Sequence, residues 1–351
     1  MIKQKSLSRR DLLRTMGAAA FLAACSDGAK LAGPNADAGG TTDAAGTQDV
    51  GASDAAAHPE YIPHITANKD HYITSYTPTP IVVNPKDWTL TFLDRGTPLG
   101  KLDLAFLAAL PAREKEHTLE CISAGTSNPA ISNAIWTGLP LTEILAALKI
   151  AVPAGTKWLK GTAADNYTTA IPVSDLDRPV WLVWKMNGEP LPAAHGFPVR
   201  VLTPGRYGMK GPKWLVSLDF IDTPYVGLWE KQGWSDDASY RPNTMIRTLE
   251  SGGTVAKGLH HVAGTAFAGS DPVVRVEVQV DVDGWQDAVL DYAPGADIWV
   301  LWHWDWDAKP GNHIVQARCT TKSGAMSAVS TYGDKGLNGY DGSMAVTIDV
   351  T

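Results

Sequence analysis

Val274-Arg275-Val276-Glu277-Val278-Gln279-Val280 alternates apolar and polar side chains without a break. A period of two puts the valines on one face and Arg275, Glu277 and Gln279 on the other, which predicts a half-buried β-strand. The same period continues downstream. Residues 281–284 read as a turn, and Trp285 re-enters a strand. Trp302, Trp304 and Trp306 alternate with His303 and Asp305, so the indoles share one face. That favours a sandwich core or a dimer contact over a carbohydrate platform. Val315, Ala317 and Cys319 alternate again before a turn at Ser323-Gly324. Several short strands over about 100 residues predict an immunoglobulin-like sandwich, assigned to residues 249–351. Cys319 is the one cysteine in that stretch, so the usual inter-sheet cysteine pair is missing.

Upstream of Ser251 the pattern is mixed. Short β-like runs include Thr89-Leu90-Thr91-Phe92-Leu93 and Val180-Trp181-Leu182-Val183-Trp184. Residues 141–148 have helical spacing with Pro140 at the start, and residues 102–110 form a second candidate that Pro111 ends. Proline- and glycine-rich connections fill the rest. Residues 59–248 are therefore expected to form an α+β domain with long functional loops. Adjacent His260 and His261 point to opposite faces of an extended segment and read as surface or linker residues.

Before residue 59 the chain reads as an address and a tether. Ser8-Arg9-Arg10-Asp11-Leu12-Leu13-Arg14 has the form of a twin-arginine export signal. The apolar stretch at 16–24 is too short for a mature membrane span and fits a signal-peptide core. It ends in Leu22-Ala23-Ala24-Cys25, the form of a lipobox, so residues 1–25 are expected to be a lipoprotein signal acylated at Cys25. Residues 26–58 carry almost no large apolar side chain and cannot offset chain entropy, which predicts a disordered linker. The expectation is a periplasmic or cell-surface protein, exported by the twin-arginine route and held to the membrane by lipid alone. That route carries folded proteins, which suits a cofactor enzyme.

The 351 residues hold 30 Lys+Arg against 37 Asp+Glu, a net charge of -7. A general nucleic-acid binder carries a basic face, so that class is set aside. Three cysteines cannot build a disulfide framework. No Cys-x-x-Cys-His haem motif occurs.

Three short elements could carry chemistry. Cys121 ends the β-like run Thr118-Leu119-Glu120-Cys121 and is followed at once by small residues, placing a thiol beside flexible backbone. A lone cysteine is more often a small buried hydrophobe. His195-Gly196-Phe197-Pro198-Val199-Arg200 separates two cations by a rigid turn and could aim both at one anion, or could be a structural turn with an exposed arginine. Tyr207-Gly208-Met209-Lys210-Gly211-Pro212-Lys213-Trp214 sets two lysines on a glycine-rich loop, which suits a phosphate or another oxyanion. It lacks the following helix and Ser/Thr of a Walker motif.

Taken in order, these elements resemble the sulfite-oxidase-type molybdenum-cofactor oxidoreductases. The resemblance runs from about Tyr61 to the end of the chain. It is carried by Leu119-Glu120-Cys121, by Ala130-Ile131-Ser132-Asn133-Ala134-Ile135-Trp136-Thr137-Gly138, by Met186-Asn187-Gly188-Glu189-Pro190-Leu191-Pro192 running into His195–Arg200, and by Lys213-Trp214-Leu215. It implies a molybdenum-molybdopterin cofactor with Cys121 as the thiolate ligand of the metal. It implies that His195, Arg200 and Lys213 hold the pterin and its phosphate. Tyr167 matches the active-site tyrosine, whose hydroxyl could donate to the reacting oxygen or to substrate. The C-terminal sandwich matches the family's dimerisation domain, so a homodimer is expected.

The departures bear on the substrate. The family usually has an Arg and a His near the domain start, where this chain has Thr74 and Tyr76. An Arg shortly after the ligand cysteine is replaced by residues 123–126, and another, expected near Trp299, by Val300. Lys210 and Arg206 remain as candidate pocket cations. Lys210 resembles the lysine of the bacterial methionine-sulfoxide-reductase branch, which lacks the sandwich. The expectation is oxygen-atom transfer on a small oxo substrate other than sulfite, with electrons passing to or from an external carrier such as a cytochrome c. Lys210, Tyr167 and Cys121 are the expected catalytic residues. The alternative is a catalytically silent, lipid-anchored binding protein on the same fold. A cysteine hydrolase pairing Cys121 with His195 or His117 is set aside, because no orienting group or oxyanion hole can be named.

Overall fold

The computed structural model describes residues 62–125, 129–330 and 337–351. The export signal, Cys25, the 26–58 linker and Thr126 lie outside the described residues. The first half rests on two sheets. One has the strand order Thr97–Leu102, Leu90–Asp94, Leu215–Ile221, Trp158–Ala163, Thr168–Pro172, with Leu90–Asp94 parallel to Leu215–Ile221. The other runs Arg113–Glu120, Ile131–Pro140, Trp181–Met186, Glu189–Pro190, and Arg200–Leu202 also pairs with Trp181–Met186.

Local chemistry explains the few helices. Leu141–Ala147 follows Pro140 and buries Leu141, Ile144 and Leu145, against a core that includes Leu90, Phe92 and Leu218. The candidate at 102–110 is shorter than expected. Leu102 belongs to a strand, and the Asp103 carboxylate accepts the Phe106 N–H at 2.8 Å, so the helix covers only Leu104–Ala108. Gly138 is where the second sheet is drawn tight. A Cβ there would lie 2.1 Å from the Leu182 carbonyl oxygen, so only glycine lets the strands meet at the register shift between Thr137 and Gly138.

The second half is all β. One sheet runs Asn243–Ile246, Gly258–Phe267, Val300–Ala308, Val289–Tyr292, and the other Gly253–Val255, Val346–Val350, Gly311–Thr321, Val273–Val280, Gln286–Asp287. Their facing side chains form one core of Val276, Val278, Trp302, Trp306, Val315, Ala317 and Cys319, with Trp304 packed against it. Asn243–Ile246 precedes residue 249 yet belongs to this half, because it pairs with Gly258–Phe267. Of the reading of His260 and His261 as surface or linker residues, the linker is corrected: both lie within the strand Gly258–Phe267, where they are partly exposed. They do face opposite ways, His260 toward Trp306 at 6.2 Å and His261 toward Asp305 at 2.5 Å. Trp299 parts from the other tryptophans. It packs with Ile122, Tyr207, Met209 and Tyr240, joining the second half to the loops of the first.

Candidate functional site

Cys121 stands just beyond the strand Arg113–Glu120, and its N–H donates to the Ala130 carbonyl at 2.9 Å. Strand alternation turns Glu120 away. The Glu120 side chain is fully buried and accepts from the Asn243 amide at 3.1 Å, while burial holds its carboxyl well above the usual range. The Cys121 thiol is partly exposed, 3.2 Å from the Ser123 hydroxyl. A reachable thiol beside an uncharged loop can serve a soft metal.

Next to it lies a group of basic residues. His195 ends a short 3-10 turn, and Gly196 follows at φ 111°, which only glycine adopts easily. A Cβ on Gly196 would stand 3.0 Å from the Lys213 Cβ and 3.1 Å from the Arg200 Cβ, so this glycine lets three basic residues converge. Arg200 is only 5% exposed, lies over the Trp136 ring at 5.2 Å and donates to the His195 carbonyl at 3.3 Å. Lys213 donates to the carbonyls of Thr74 and Ala194 at 3.0 and 2.9 Å and to the Ser75 hydroxyl at 2.5 Å.

The structure adds His71, which the sequence reading quoted only as the start of an altered motif. Its ring is buried 5.0 Å from the His195 ring and edge-on to Trp136 at 5.7 Å. Its Nδ1 bonds the Tyr72 carbonyl at 3.2 Å, and its Nε2 has no partner among the described residues. The Arg200 Nε is likewise unpartnered. None of His71, His195, Arg200 and Lys213 forms an ion pair among the described residues. Buried charges are normally paired, so such a set fits an anion from outside the chain.

The electrostatics agree. Burial, then the neighbouring His195, push the His71 ring down to about 3, and burial with Arg200 pushes His195 to about 4. Burial and Arg200 bring Lys213 to about 7, which Asp165 offsets only in part, and burial lowers Arg200 to about 10. Each proton is hard to hold chiefly because burial strips it of water, and for His71, His195 and Lys213 the neighbouring basic groups add to the cost. Tyr72 joins this group to the thiol: burial raises its phenol, Cys121 adds to the rise, and Arg200 opposes it.

Tyr167 lies near enough to Cys121 for the thiol to act on its phenol. It is buried, its hydroxyl donates to the Met209 carbonyl at 2.6 Å, and burial with Glu230 and Cys121 holds the phenol well above its ordinary range. Lys210 and Arg206 are different. The Lys210 ammonium contacts Glu230 Oε1 at 2.6 Å, the Ala170 carbonyl at 3.1 Å and Asp236 Oδ1 at 3.3 Å. Arg206 is bonded by both oxygens of Asp175 and by Asp237. At the altered motif positions, Thr74 offers its carbonyl to Lys213, while Tyr76 is 48% exposed and edge-on to Trp229 at 6.5 Å. Val300 is buried in the core of the second half. Cys121, Tyr167, His195, Arg200 and Lys213 are thus brought together, and Lys210 is engaged beside them.

Residues 76–229 match the family described as "Oxidoreductase molybdopterin binding domain". The chain is 27% identical over 274 residues to mitochondrial sulfite oxidase of Mus musculus, covering 65% of this chain and 50% of that protein. It is 25% identical over 274 residues to sulfite oxidase of Arabidopsis thaliana, covering 64% and 70%. It is 25% identical over 290 residues to nitrate reductase [NADH] of Cichorium intybus, covering 65% and 31%. The chain therefore spans about half the length of the mouse protein. Among solved structures, the sulfane dehydrogenase SoxCD from Paracoccus pantotrophus matches in fold with a TM-score of 0.69 at 19% identity, over 83% of this chain and 85% of that one. The unpaired cations and the accessible thiol suit a phosphate-bearing, sulfur-ligated metal group, and the matches imply the molybdenum-molybdopterin cofactor. With its site and its relatives in agreement, residues 76–229 carry a molybdopterin-binding oxidoreductase domain, and the matches support a sulfite-oxidase-type molybdopterin oxidoreductase.

Proposed function

We propose that this chain is an exported enzyme that transfers an oxygen atom to or from a small oxo compound other than sulfite. The observation that carries the enzymatic reading is Arg200, a buried guanidinium with no carboxylate partner among the described residues, set with His71, His195 and Lys213 beside a reachable thiol. Cys121 would ligate the metal, and His195, Arg200 and Lys213, joined by His71, would hold the pterin and its phosphate. When bound, the cofactor supplies a metal that stores two electrons and exchanges one oxygen atom. The protein's part is to neutralise the phosphate, to keep Tyr167 near the thiol, and to shape the approach.

That approach disfavours a dianion such as sulfite. Arg206 and Lys210 are answered by Asp175, Asp237, Glu230 and Asp236, so the flank carries more carboxylates than these two cations. Thr74 and Tyr76 add no charge. A sulfite pocket needs unspent positive charge to offset desolvation. The electron partner would be an external carrier such as a cytochrome c. The export signal, acylation at Cys25 and the tether would hold the enzyme at the periplasmic or cell surface. An immunoglobulin-like second half would mediate a symmetric dimer.

Molybdenum and pterin content per chain, in a host that makes the cofactor, tests this reading. Near-stoichiometric metal in the wild type, with an altered metal spectrum in Cys121→Ser, is the expected result. A well-folded wild type without metal or pterin would sink it and leave the silent binding protein, which the loss of the pocket arginines favours. Rapid turnover of sulfite by the loaded enzyme would overturn the substrate assignment alone.

A further inference from the structure

Lys210 stood out in the sequence as a catalytic amine, but all three of its N–H donors are taken within the protein. Its side chain is 1% exposed, and that of its partner Glu230 is 2% exposed. Where those bonds lead is informative. Ala170, whose carbonyl accepts from the ammonium, lies on the strand Thr168–Pro172, which starts directly after Tyr167. Thr169 of that strand donates its hydroxyl to the same Glu230 oxygen at 2.8 Å. The Thr168 carbonyl accepts the Leu228 N–H at 3.0 Å, and its hydroxyl accepts from Tyr225 at 2.8 Å. Gly227 leaves room for this stitch, since a Cβ there would meet the second Glu230 oxygen at 2.4 Å and the Thr168 carbonyl at 2.8 Å.

The other end of the connection is the peptide of Lys210 itself. The Met209 carbonyl that receives the Tyr167 hydroxyl belongs to the peptide unit whose nitrogen is Lys210 N. That nitrogen donates to the Tyr207 carbonyl at 2.9 Å, and the Lys210 carbonyl accepts from the Thr203 hydroxyl at 3.0 Å. One residue thus fixes both sides of the Tyr167 hydrogen bond: its side chain holds the strand that carries the phenol, and its main chain holds the acceptor.

We propose that Lys210, through its buried pair with Glu230, is a positioning residue that sets the direction of the Tyr167 hydroxyl, and that it does not itself touch substrate. The role of Tyr167 in turnover rests on the oxidoreductase reading above, but the positioning does not need the cofactor to be observed.

The experiment is Raman spectroscopy of the tyrosine doublet, which reports whether a phenol is a strong donor, on the full chain. The difference between wild type and Tyr167→Phe isolates Tyr167, and metal and pterin are assayed on the same samples. Lys210→Met should convert Tyr167 from a strong donor to a weak one and lower the unfolding midpoint by roughly 10 °C, because Glu230 is left buried without its cation. Glu230→Gln keeps an oxygen for Lys210 and Thr169, so the strong-donor signature should survive. The double variant Lys210→Met/Glu230→Met should recover the midpoint to within about 3 °C of wild type. Its Tyr167 should remain a weak donor, because nothing replaces the bond to Ala170. That last result separates positioning from general stability, and it stands even if the single variant fails to fold. A folded double variant with the wild-type Tyr167 signature would overturn the proposal. Absence of metal and pterin would overturn the oxidoreductase reading and leave the Raman comparison to decide the positioning.

Discussion

Arg200 and Lys210 are both buried cations in the first half of the molecule, 5% and 2% exposed. Arg200 lies over an indole with an unpartnered Nε and no carboxylate among the described residues. Lys210 touches two carboxylates and a carbonyl. Arg200 has His71, His195 and Lys213 for company, whereas Lys210 and Arg206 lie among Asp175, Glu230, Asp236 and Asp237. A charge left unanswered inside a protein costs stability, so it is tolerated where an outside partner answers it. A charge answered within the chain is part of the frame. The two groups share one region, and the presence or absence of carboxylates distinguishes binding site from scaffold.

Substitution should expose the contrast in opposite directions. Arg200→Met should weaken cofactor retention roughly 30- to 1,000-fold, read as pterin remaining after dialysis. The cofactor-free protein should keep its unfolding free energy to within about 1 kcal/mol or gain slightly, since an unpaired buried charge is removed. A large loss of stability in the cofactor-free variant would break the distinction. Lys210→Met should do the reverse, costing about 3–5 kcal/mol of stability in denaturant unfolding.

Acid should act on the first group. His71 and His195 titrate at about 3 and about 4 when folded, against 6.5 ordinarily. Between those limits the unfolded chain binds more protons, so stability is present above pH 6.5 and is lost as pH falls toward 4. From pH 7 to pH 5 the cofactor-free protein should lose about 2 kcal/mol for each ring at most, measured by urea unfolding. A bound phosphate group favours the protonated rings, so cofactor-loaded protein should lose less and should take up protons on loading. Equal acid sensitivity with and without cofactor would place the anion elsewhere. The smallest effect is expected from Asp237→Asn. Its side chain is 69% exposed, and Arg206 keeps Asp175, so the change should stay within about 1 kcal/mol.

Legibility in the sequence followed the range of the interactions. The strand read at residues 274–280 forms as Val273–Val280, and the helix read at 141–148 forms as Leu141–Ala147, because period and caps are local signals. The thiol and the His195–Arg200 turn were visible in order along the chain. His71 was passed over, because only the fold brings it within 5.0 Å of the His195 ring. Glu230, Asp175 and Asp237 were missed for the same reason, and with them the carboxylates that answer the two expected pocket cations. A basic residue can be read from one position, but its counter-charge can come from anywhere in the chain. A run of acidic residues such as Asp236-Asp237, close after two apparently free cations, was the one available hint.

The central pairing of the first sheet has a consequence for the order in which the molecule can be made. Leu90–Asp94 lies parallel to Leu215–Ile221, and the Trp88 indole bonds the Leu215 carbonyl across 127 residues of chain. The segment before that strand is held from farther still, since the Trp299 indole donates to the His64 carbonyl across 235 residues. Contacts of such separation form late, after long loops have closed. Cys121 emerges early in synthesis, yet Lys213 and the far strand that anchors it arrive almost a hundred residues later, roughly the length of a small domain. A nascent chain thus offers a thiol without its cradle, and the complete pocket exists only once nearly the whole polypeptide has been released to fold.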